Sequence, residues 1–356
     1  MKNKSIKNEE VIGDTSAFPS FFRKRRSRIL AADIWSFYRC LIKKCVAKKK
    51  ENEALSFLEQ AFDFYSAAEK QSIGSKPLLF YYSFLNLVKI ALIIRKIDFP
   101  PVAKHGLYDP KENVRERLRL EGQIIKIKGL AQDHSEIFPE FVKILGGKIK
   151  ANNETKIVEL LGLIPSIHRA YVEHLNEKPA FLPITNVCVL KKRKNLWARL
   201  DCSKSDKDVR QTISSIRKLQ SFKGIFHKAK SSTTSLYSFE TDPMVFSNRN
   251  LDSSIEKLQS KIKQIGVWSI LTTEGYRHYI LYAPNNMLPQ LACSYAVMFY
   301  LGSITRYKPY DFDKILSGKY GWIIQELLAA EPIQFIYLLA SHLACADVIR
   351  PFTIRE

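Results

Sequence analysis

The run from Pro77 to Ile94 is apolar almost throughout, and a chain carrying such a segment must either bury it in a protein core or thread it through a bilayer. Ser83, Asn86 and Lys89 interrupt it near its middle. A lysine at the centre of a membrane costs about 2.5–3.5 kcal/mol on insertion scales, and no second stretch reads as a comparable span. The run is therefore expected to be a buried core helix, with no integral membrane association. Ser75 reads as its N-cap, Pro77 falls in its first turn and Pro100-Pro101 lies beyond its end.

Helical periodicity surrounds that segment. Ile34, Phe37, Tyr38, Leu41, Ile42 and Cys45 recur at helical spacing within Ile29 to Val46, and Glu51 to Gln71 repeats the pattern. Thr155 to Leu175 reads as helix, with Pro165 marking a kink or boundary. The character changes from Ala180, where β-prone runs appear at Ile184 to Leu190, Leu196 to Cys202 and Ser235 to Phe239. Val267 to Thr273 and Tyr276 to Tyr282, separated by Glu274-Gly275, read as a hairpin. Helices are expected at Val209 to Gln220 and Leu251 to Ile265. Beyond Pro284 the pattern is helical again, over Leu288 to Ile304, Lys319 to Ala330 and Pro332 to Val348.

The expected fold class is therefore α+β, predominantly helical, with a mixed β insert between N- and C-terminal helical parts. The domain reading is a flexible basic arm over 1–22, an N-terminal helical region over 23–178 and a mixed α/β insert over 179–284. A C-terminal helical region over 285–356 is expected to pack on the N-terminal helices. At 46% hydrophobic, the chain has ample material for a core. Its six cysteines form no CxxC pair and no cluster with histidine at zinc spacing, and the polar Met1 to Asp14 lacks the apolar run of a signal peptide. Reduced thiols and a cytoplasmic location are expected.

Charge is the strongest functional signal. The formal net charge is +21, and residues 1–50 hold 14 basic against 4 acidic residues while 187–230 hold 13 against 3. Clustering of this kind suggests surfaces that attract a polyanion. Arg23, Lys24, Arg25, Arg26 and Arg28 form one basic knot; Lys191, Lys192, Arg193 and Lys194 form another. Trp35, Phe37 and Tyr38 accompany the first, and Trp197, Phe222, Phe226 and His227 the second. Cations with aromatics suit single-stranded nucleic acid, whose phosphates take the charge and whose bases stack on rings. The competing reading is that those rings face the core and Lys191 to Lys194 make a solvated turn.

Two further constellations carry chemistry. Tyr82, Asn86 and Lys89 fall within about 60° of one another on the apolar helix, and a desolvated Asn and Lys need partners. They read as a polar pocket for a phosphate or a polarised substrate, or as residues that tie down neighbouring structure. His105, after the double proline, is a candidate proton-transfer residue beside that helix. Arg169 and His174 match R-x4-H, a spacing that resembles the catalytic pair of HEPN-type ribonucleases. There the histidine helps proton transfer and the arginine stabilises phosphate charge, although chance alone supplies such pairs often. No Walker loop, GxGxxG, HExxH or Ser-His-Asp order is present, so no cofactor and no metal is expected.

A series of short segments in fixed order resembles the YaaC-like family of prokaryotic proteins. These are Lys76-Pro77-Leu78-Leu79-Phe80-Tyr81-Tyr82 running on to Asn86-Leu87-Val88-Lys89, then His105-Gly106-Leu107 and Leu163-Ile164-Pro165. Arg306-Tyr307-Lys308-Pro309 and Tyr320-Gly321-Trp322 complete the series. The Tyr-Tyr to Asn-Leu-x-Lys helix is also similar to a helix of HEPN domains. Arg306 joins the binding candidates through this resemblance. The expected function is a nucleic-acid-binding protein, for RNA or single-stranded DNA, serving a phage-defence or stress-response system. One alternative is a HEPN-like metal-independent ribonuclease or toxin effector. Another is a scaffold that docks an acidic protein partner or forms a homodimer.

Overall fold

A computed structural model describes residues 10–14, 28–109, 120–149, 153–203, 224–229, 236–247, 250–251, 254, 257–258, 266–273, 275–281 and 288–351. In chain order its elements begin with β1 (Glu10–Asp14), β2 (Arg28–Leu30), α1 (Ile34–Cys45), α2 (Lys48–Lys70) and α3 (Lys76–Ile94). β3 (Leu107–Tyr108), β4 (Ile124–Ile127), α4 (Ile137–Ile144), β5 (Asn153–Lys156), α5 (Ile157–Gly162) and α6 (His168–Leu175) follow. The middle of the chain supplies β6 (Phe181–Ile184), β7 (Asn186–Lys192), β8 (Asn195–Ser203), β9 (Phe226–Lys228), β10 (Leu236–Thr241) and β11 (Met244–Val245). β12 (Val267–Thr272), β13 (Gly275–Leu281), α7 (Gln290–Tyr307), α8 (Pro309–Ser317), α9 (Gly321–Ala344) and β14 (Asp347–Ile349) complete it. The class is α+β with helix dominant.

The chain divides into two compact units. The helical unit takes 31–178 and 286–344; the strand unit takes the described residues within 1–30, 179–285 and 345–356.

In the helical unit α3 is central. It packs against α2, α7, α9 and α4, and its phenylalanines, leucines and isoleucines are almost all buried. Such a helix cannot stand in water, and burying one large aliphatic or aromatic side chain contributes about 1.5–3 kcal/mol. Phe84 of α3 stacks on Phe335 of α9 with centroids 3.8 Å apart. At Gly302, α7 crosses α3 so closely that a Cβ would stand 3.2 Å from Tyr81 Cβ and 3.4 Å from the Leu78 Cα. α3 and α9 are each long and apolar enough to cross a membrane, and 78% and 72% of their apolar windows are buried inside the protein.

Local rules explain the ends. Asp33 Oδ1 accepts from the backbone N–H of Trp35 at 3.0 Å and of Ser36 at 3.2 Å, capping α1, while Lys43 and Lys44 sit in its last turn. Ser75 makes no side-chain cap at α3, where Pro77 in the first turn removes a donor that needed one. The stretch expected as helix over 155–175, with Pro165 as kink or boundary, begins as strand β5 and continues as α5 and α6. Thr155 pairs with Ile125 of β4, and Pro165 separates the two helices. Conversely, the two helices expected around Pro332 are one, α9. The ring removes one backbone bond, and burial on both sides of it holds the helix continuous.

Among the described residues, the strand unit holds two antiparallel sheets and one parallel pair. Strands β1-β7-β8-β10-β9, with β11 also on β8, form the larger sheet, and β12-β13-β6 the smaller. Along β8, Leu196, Ala198, Leu200 and Cys202 join one apolar cluster, while the alternate Trp197 joins Cys188 and Leu190. That alternation is the period of two that strands impose. The hairpin of β12 and β13 pairs Val267 with Ile280 and Thr272 with Gly275, whose φ of +118° suits glycine.

Both chain ends depart from the expected boundaries. Glu10–Asp14, within the segment read as a flexible arm, is strand β1, with Glu10 opposite Lys191 and Asp14 opposite Cys188. Val11 and Ile12 are β-prone; Val11 pairs with Leu190 of β7, and Ile12 falls at a register shift. Asp347–Ile349, within the segment read as C-terminal helical region, pairs in parallel with Arg28–Leu30 as β14. The helices expected over 209–220 and most of 251–265 lie outside the described residues.

Candidate functional site

The site grows from the N-terminal half of α3. Tyr81 is 4% exposed, and its ring lies against Tyr82, Tyr295 and Phe299 at 5.4–5.6 Å between centroids. Its hydroxyl stands 2.5 Å from Nδ1 of His105 and 3.5 Å from the hydroxyl of Tyr295. Burial first, then the neighbouring Tyr295, holds the Tyr81 hydroxyl well above the ordinary phenol range. Burial, then the Lys89 and Arg306 cations, holds the His105 imidazole below its ordinary value. A protonated phenol beside a neutral imidazole sets the direction: Tyr81 donates to Nδ1 and accepts from Tyr295. Nε2 of His105 then carries the ring proton.

Backbone bonds fix that histidine. Lys104 N–H donates to the Ser135 carbonyl at 2.7 Å, Ile137 N–H to the Lys104 carbonyl at 2.9 Å, and Phe138 N–H to the His105 carbonyl at 3.1 Å. The loop thus lies along the start of α4. Gly106 makes this approach feasible: its φ is +77°, and a Cβ there would stand 2.4 Å from Pro139 Cδ. Lys308 Nζ, 3.5 Å from Asp109 Oδ2, ties the same loop to the junction of α7 and α8.

Arg306 connects this pocket to the surface. Its Nη1 donates to the Tyr82 hydroxyl at 3.0 Å, and its guanidinium lies 5.0 Å from the Tyr307 ring centroid. One helix further, Lys314 Nζ sits 4.3 Å from the centroid of Tyr310. Tyr307 is 68% and Tyr310 70% exposed. Cation–ring pairs are worth about 0.5–1 kcal/mol at exposed sites. The local sequence Arg306-Tyr307-Lys308-Pro309-Tyr310 alternates cation and ring, and Pro309 opens α8 and turns Tyr310 onto a new helix.

The structure brings together Tyr82, His105 and Arg306. Asn86 of the expected pocket is turned elsewhere: it is buried and its Nδ2 donates to Gln60 Oε1 of α2 at 3.3 Å. Lys89 lies 4.8 Å from the Phe57 ring, and burial lowers its pKa while Glu53 opposes the shift. Arg169 and His174 share α6 but face other partners. Arg169 is 3.5 Å from Glu173, and His174 Nε2 stands 2.9 Å from the Lys319 carbonyl with its ring edge-on to Trp322. In the strand unit Lys191 and Lys192 end β7 and Arg193 and Lys194 form the β7–β8 turn, with Arg193 at φ +54° and Lys191 5.7 Å from the Phe246 ring centroid. Arg28 belongs to β2, while Arg23, Lys24, Arg25 and Arg26 lie outside the described residues. So do Phe222 and the cations from 204 to 223.

Residue reading along the chain missed Tyr81, Tyr295, Tyr307, Tyr310 and Lys314 as site members. The last three were findable, because ring and cation alternate there in plain view; the first two look like core. It also missed Glu331, 1% exposed on α9. Its carboxylate accepts from Ser294 Oγ of α7 at 2.5 Å and from Ser166 Oγ. Burial pushes its pKa up to about 7 against the pull of the two hydroxyls. Among the described residues no group of three or more His, Cys, Asp or Glu is placed to hold a metal.

The family model described as YaaC-like Protein matches residues 21–343, nearly the whole chain, so the chain belongs to that family. No curated protein and no solved structure matches it.

Proposed function

We propose that this member of the YaaC-like family is a cytoplasmic protein that binds single-stranded nucleic acid, RNA or DNA, along the exposed ring-and-cation strip of α7 and α8. One observation carries the reading: Tyr307 and Tyr310 are about two-thirds exposed, and each has a cation against its ring. A base stacks on such a ring while the neighbouring cation takes the phosphate, whatever the base, which gives binding without sequence readout. The basic turn Lys191 to Lys194 adds a second surface for the backbone of a strand. Burial of most of both long apolar helices inside the helical unit fits core helices rather than membrane spans.

Fluorescence anisotropy with a labelled single-stranded RNA of mixed sequence tests the proposal on the full chain. Affinity is expected to fall steeply between low and physiological salt, because each neutralised phosphate releases counterions. Tyr307→Ala with Tyr310→Ala is expected to weaken binding at every salt concentration. A salt-independent isotherm, or a double variant that binds as tightly as the parent, removes the reading. Protein that purifies free of nucleic acid and captures an acidic protein instead would favour a docking subunit.

A further inference from the structure

We infer that His105, Tyr82 and Arg306 form a seat for one phosphate group, at the inner end of the strip that carries the stacking tyrosines. The inference rests on the reading of that strip as a nucleic-acid surface, and it names which oxyanion enters and what it meets. The common chemistry is a tetrahedral phosphate. Its sources are an internal phosphodiester, a terminal phosphomonoester or free inorganic phosphate.

Geometry supplies the donors. Tyr81 occupies Nδ1 of His105 from the buried side, so Nε2–H is the nitrogen left for a ligand. Arg306 gives one N–H to Tyr82, and a guanidinium has further donors in a planar fork suited to phosphate oxygens. The Tyr82 hydroxyl accepts that bond and keeps its own proton to donate. The chain Tyr295 to Tyr81 to His105 runs from a fully buried hydroxyl to an exposed imidazole. The loop bonds to α4 and the Lys308–Asp109 pair hold the histidine in place without a ligand, so the seat exists before its occupant arrives.

Charge supplies the selectivity. Among the described residues, the ionisable groups around the imidazole are Tyr81, Tyr82 and Lys89 on α3 with Tyr295 and Arg306 on α7. Asp109 in its own loop is taken by Lys308, Glu140 on α4 by His134 and Lys143, and Glu53 on α2 lies towards Lys89. The Lys89 and Arg306 cations disfavour a third charge on His105, and an arriving phosphate anion reverses that balance. Phosphate binding is thus coupled to proton uptake by His105, and affinity rises as pH falls towards the lowered titration point of the unliganded imidazole.

The test follows the His105 imidazole by NMR through a pH titration of the full chain, with and without saturating inorganic phosphate. Affinities are then compared for single-stranded RNA with and without a 5′-phosphate. The imidazole is expected to titrate at least half a unit higher with phosphate. Arg306→Met is expected to weaken phosphate at least tenfold, and His105→Gln to remove the pH dependence. Should His105→Gln not fold, Tyr81→Phe keeps the ring packing, frees Nδ1 and is expected to change the His105 titration. A preference for 5′-phosphorylated RNA assigns the seat to strand ends; equal affinity assigns it to internal phosphodiesters. A His105 titration that phosphate leaves unmoved, or phosphate affinity unchanged in Arg306→Met, overturns the seat. If RNA still binds in a Tyr307- and Tyr310-dependent way, only the seat falls; if phosphate binds but RNA does not, the seat stands and the nucleic-acid reading falls.

Discussion

On α1 and α2, Arg39, Lys48 and Lys50 each reach a carboxylate, whereas on α7 and α8 Arg306 and Lys314 rest against tyrosine rings that face solvent. The first set is neutralised: Arg39 lies 3.8 Å from Glu59, Lys48 2.8 Å from Glu51, and Lys50 2.8 Å from Glu53 and 3.7 Å from Asp98. The second keeps its charge beside a stacking surface. The acids that quench the first set come from segments 51–98, which along the chain count as balanced. A surplus measured in sequence is therefore not a surplus on a surface. What decides is which residues the fold places within about 4 Å of each cation.

The largest effect expected from this contrast is on nucleic-acid binding. Tyr307→Ala and Tyr310→Ala should each lose about 1–3 kcal/mol of single-stranded RNA affinity, the value of one stacked base. Arg39→Ala with Lys50→Ala should change it far less. Equal losses from the two pairs in the same anisotropy experiment would erase the distinction between the regions.

A third kind of charge sharpens it, for Glu331 has hydroxyls but no cation as its described partners. An unfolded carboxyl of this type titrates near 4.5 and the buried one at about 7. Between those values the folded chain keeps a proton that the unfolded chain has lost, so stability falls as pH rises through that window. The full span corresponds to about 3 kcal/mol. Urea denaturation across pH 4.5 to 7 should show this decline in the parent and a flatter profile in Glu331→Gln; parallel profiles would refute the assignment.

Gly106→Ala should come next. A left-handed φ costs a non-glycine residue about 1–2 kcal/mol, and the added methyl meets Pro139 and Phe138. The loop must leave α4, so His105 should lose its low titration point along with that stability. A variant of parental melting temperature and unchanged His105 titration would show the loop to be more pliant than its contacts imply.

The smallest effect belongs to the paired cations. Arg39→Ala, Lys48→Ala and Lys50→Ala should each cost under about 1 kcal/mol of stability, as exposed ion pairs do. A larger loss in thermal melts would mean that these pairs do more than quench charge.

Legibility along the chain followed the range of the physics. The α3 segment, the β8 alternation and the β12–β13 hairpin were readable because burial and period act over a few residues. The strand that opens 155–175 and the continuity through Pro332 were not, since each depends on a distant partner: β4 for Thr155, and the packed helical unit for Pro332. Within the site, Tyr82, His105 and Arg306 could be singled out in sequence, and their company could not. Arg306 meets Tyr82 across a separation of 224 residues. The same blindness hid the pairing of Asn86 with Gln60, which takes that amide out of the pocket.

The sequence by itself determined the class of fold and the central helix, because an apolar run with a lysine near its middle is costly to place in a bilayer, and alternation is the period of a strand. Tertiary structure alone decided which cations remain available and which tyrosine holds His105. Coulomb attraction, ring contact and hydrogen bonding act through space at a few ångströms, and only the folded chain sets those distances.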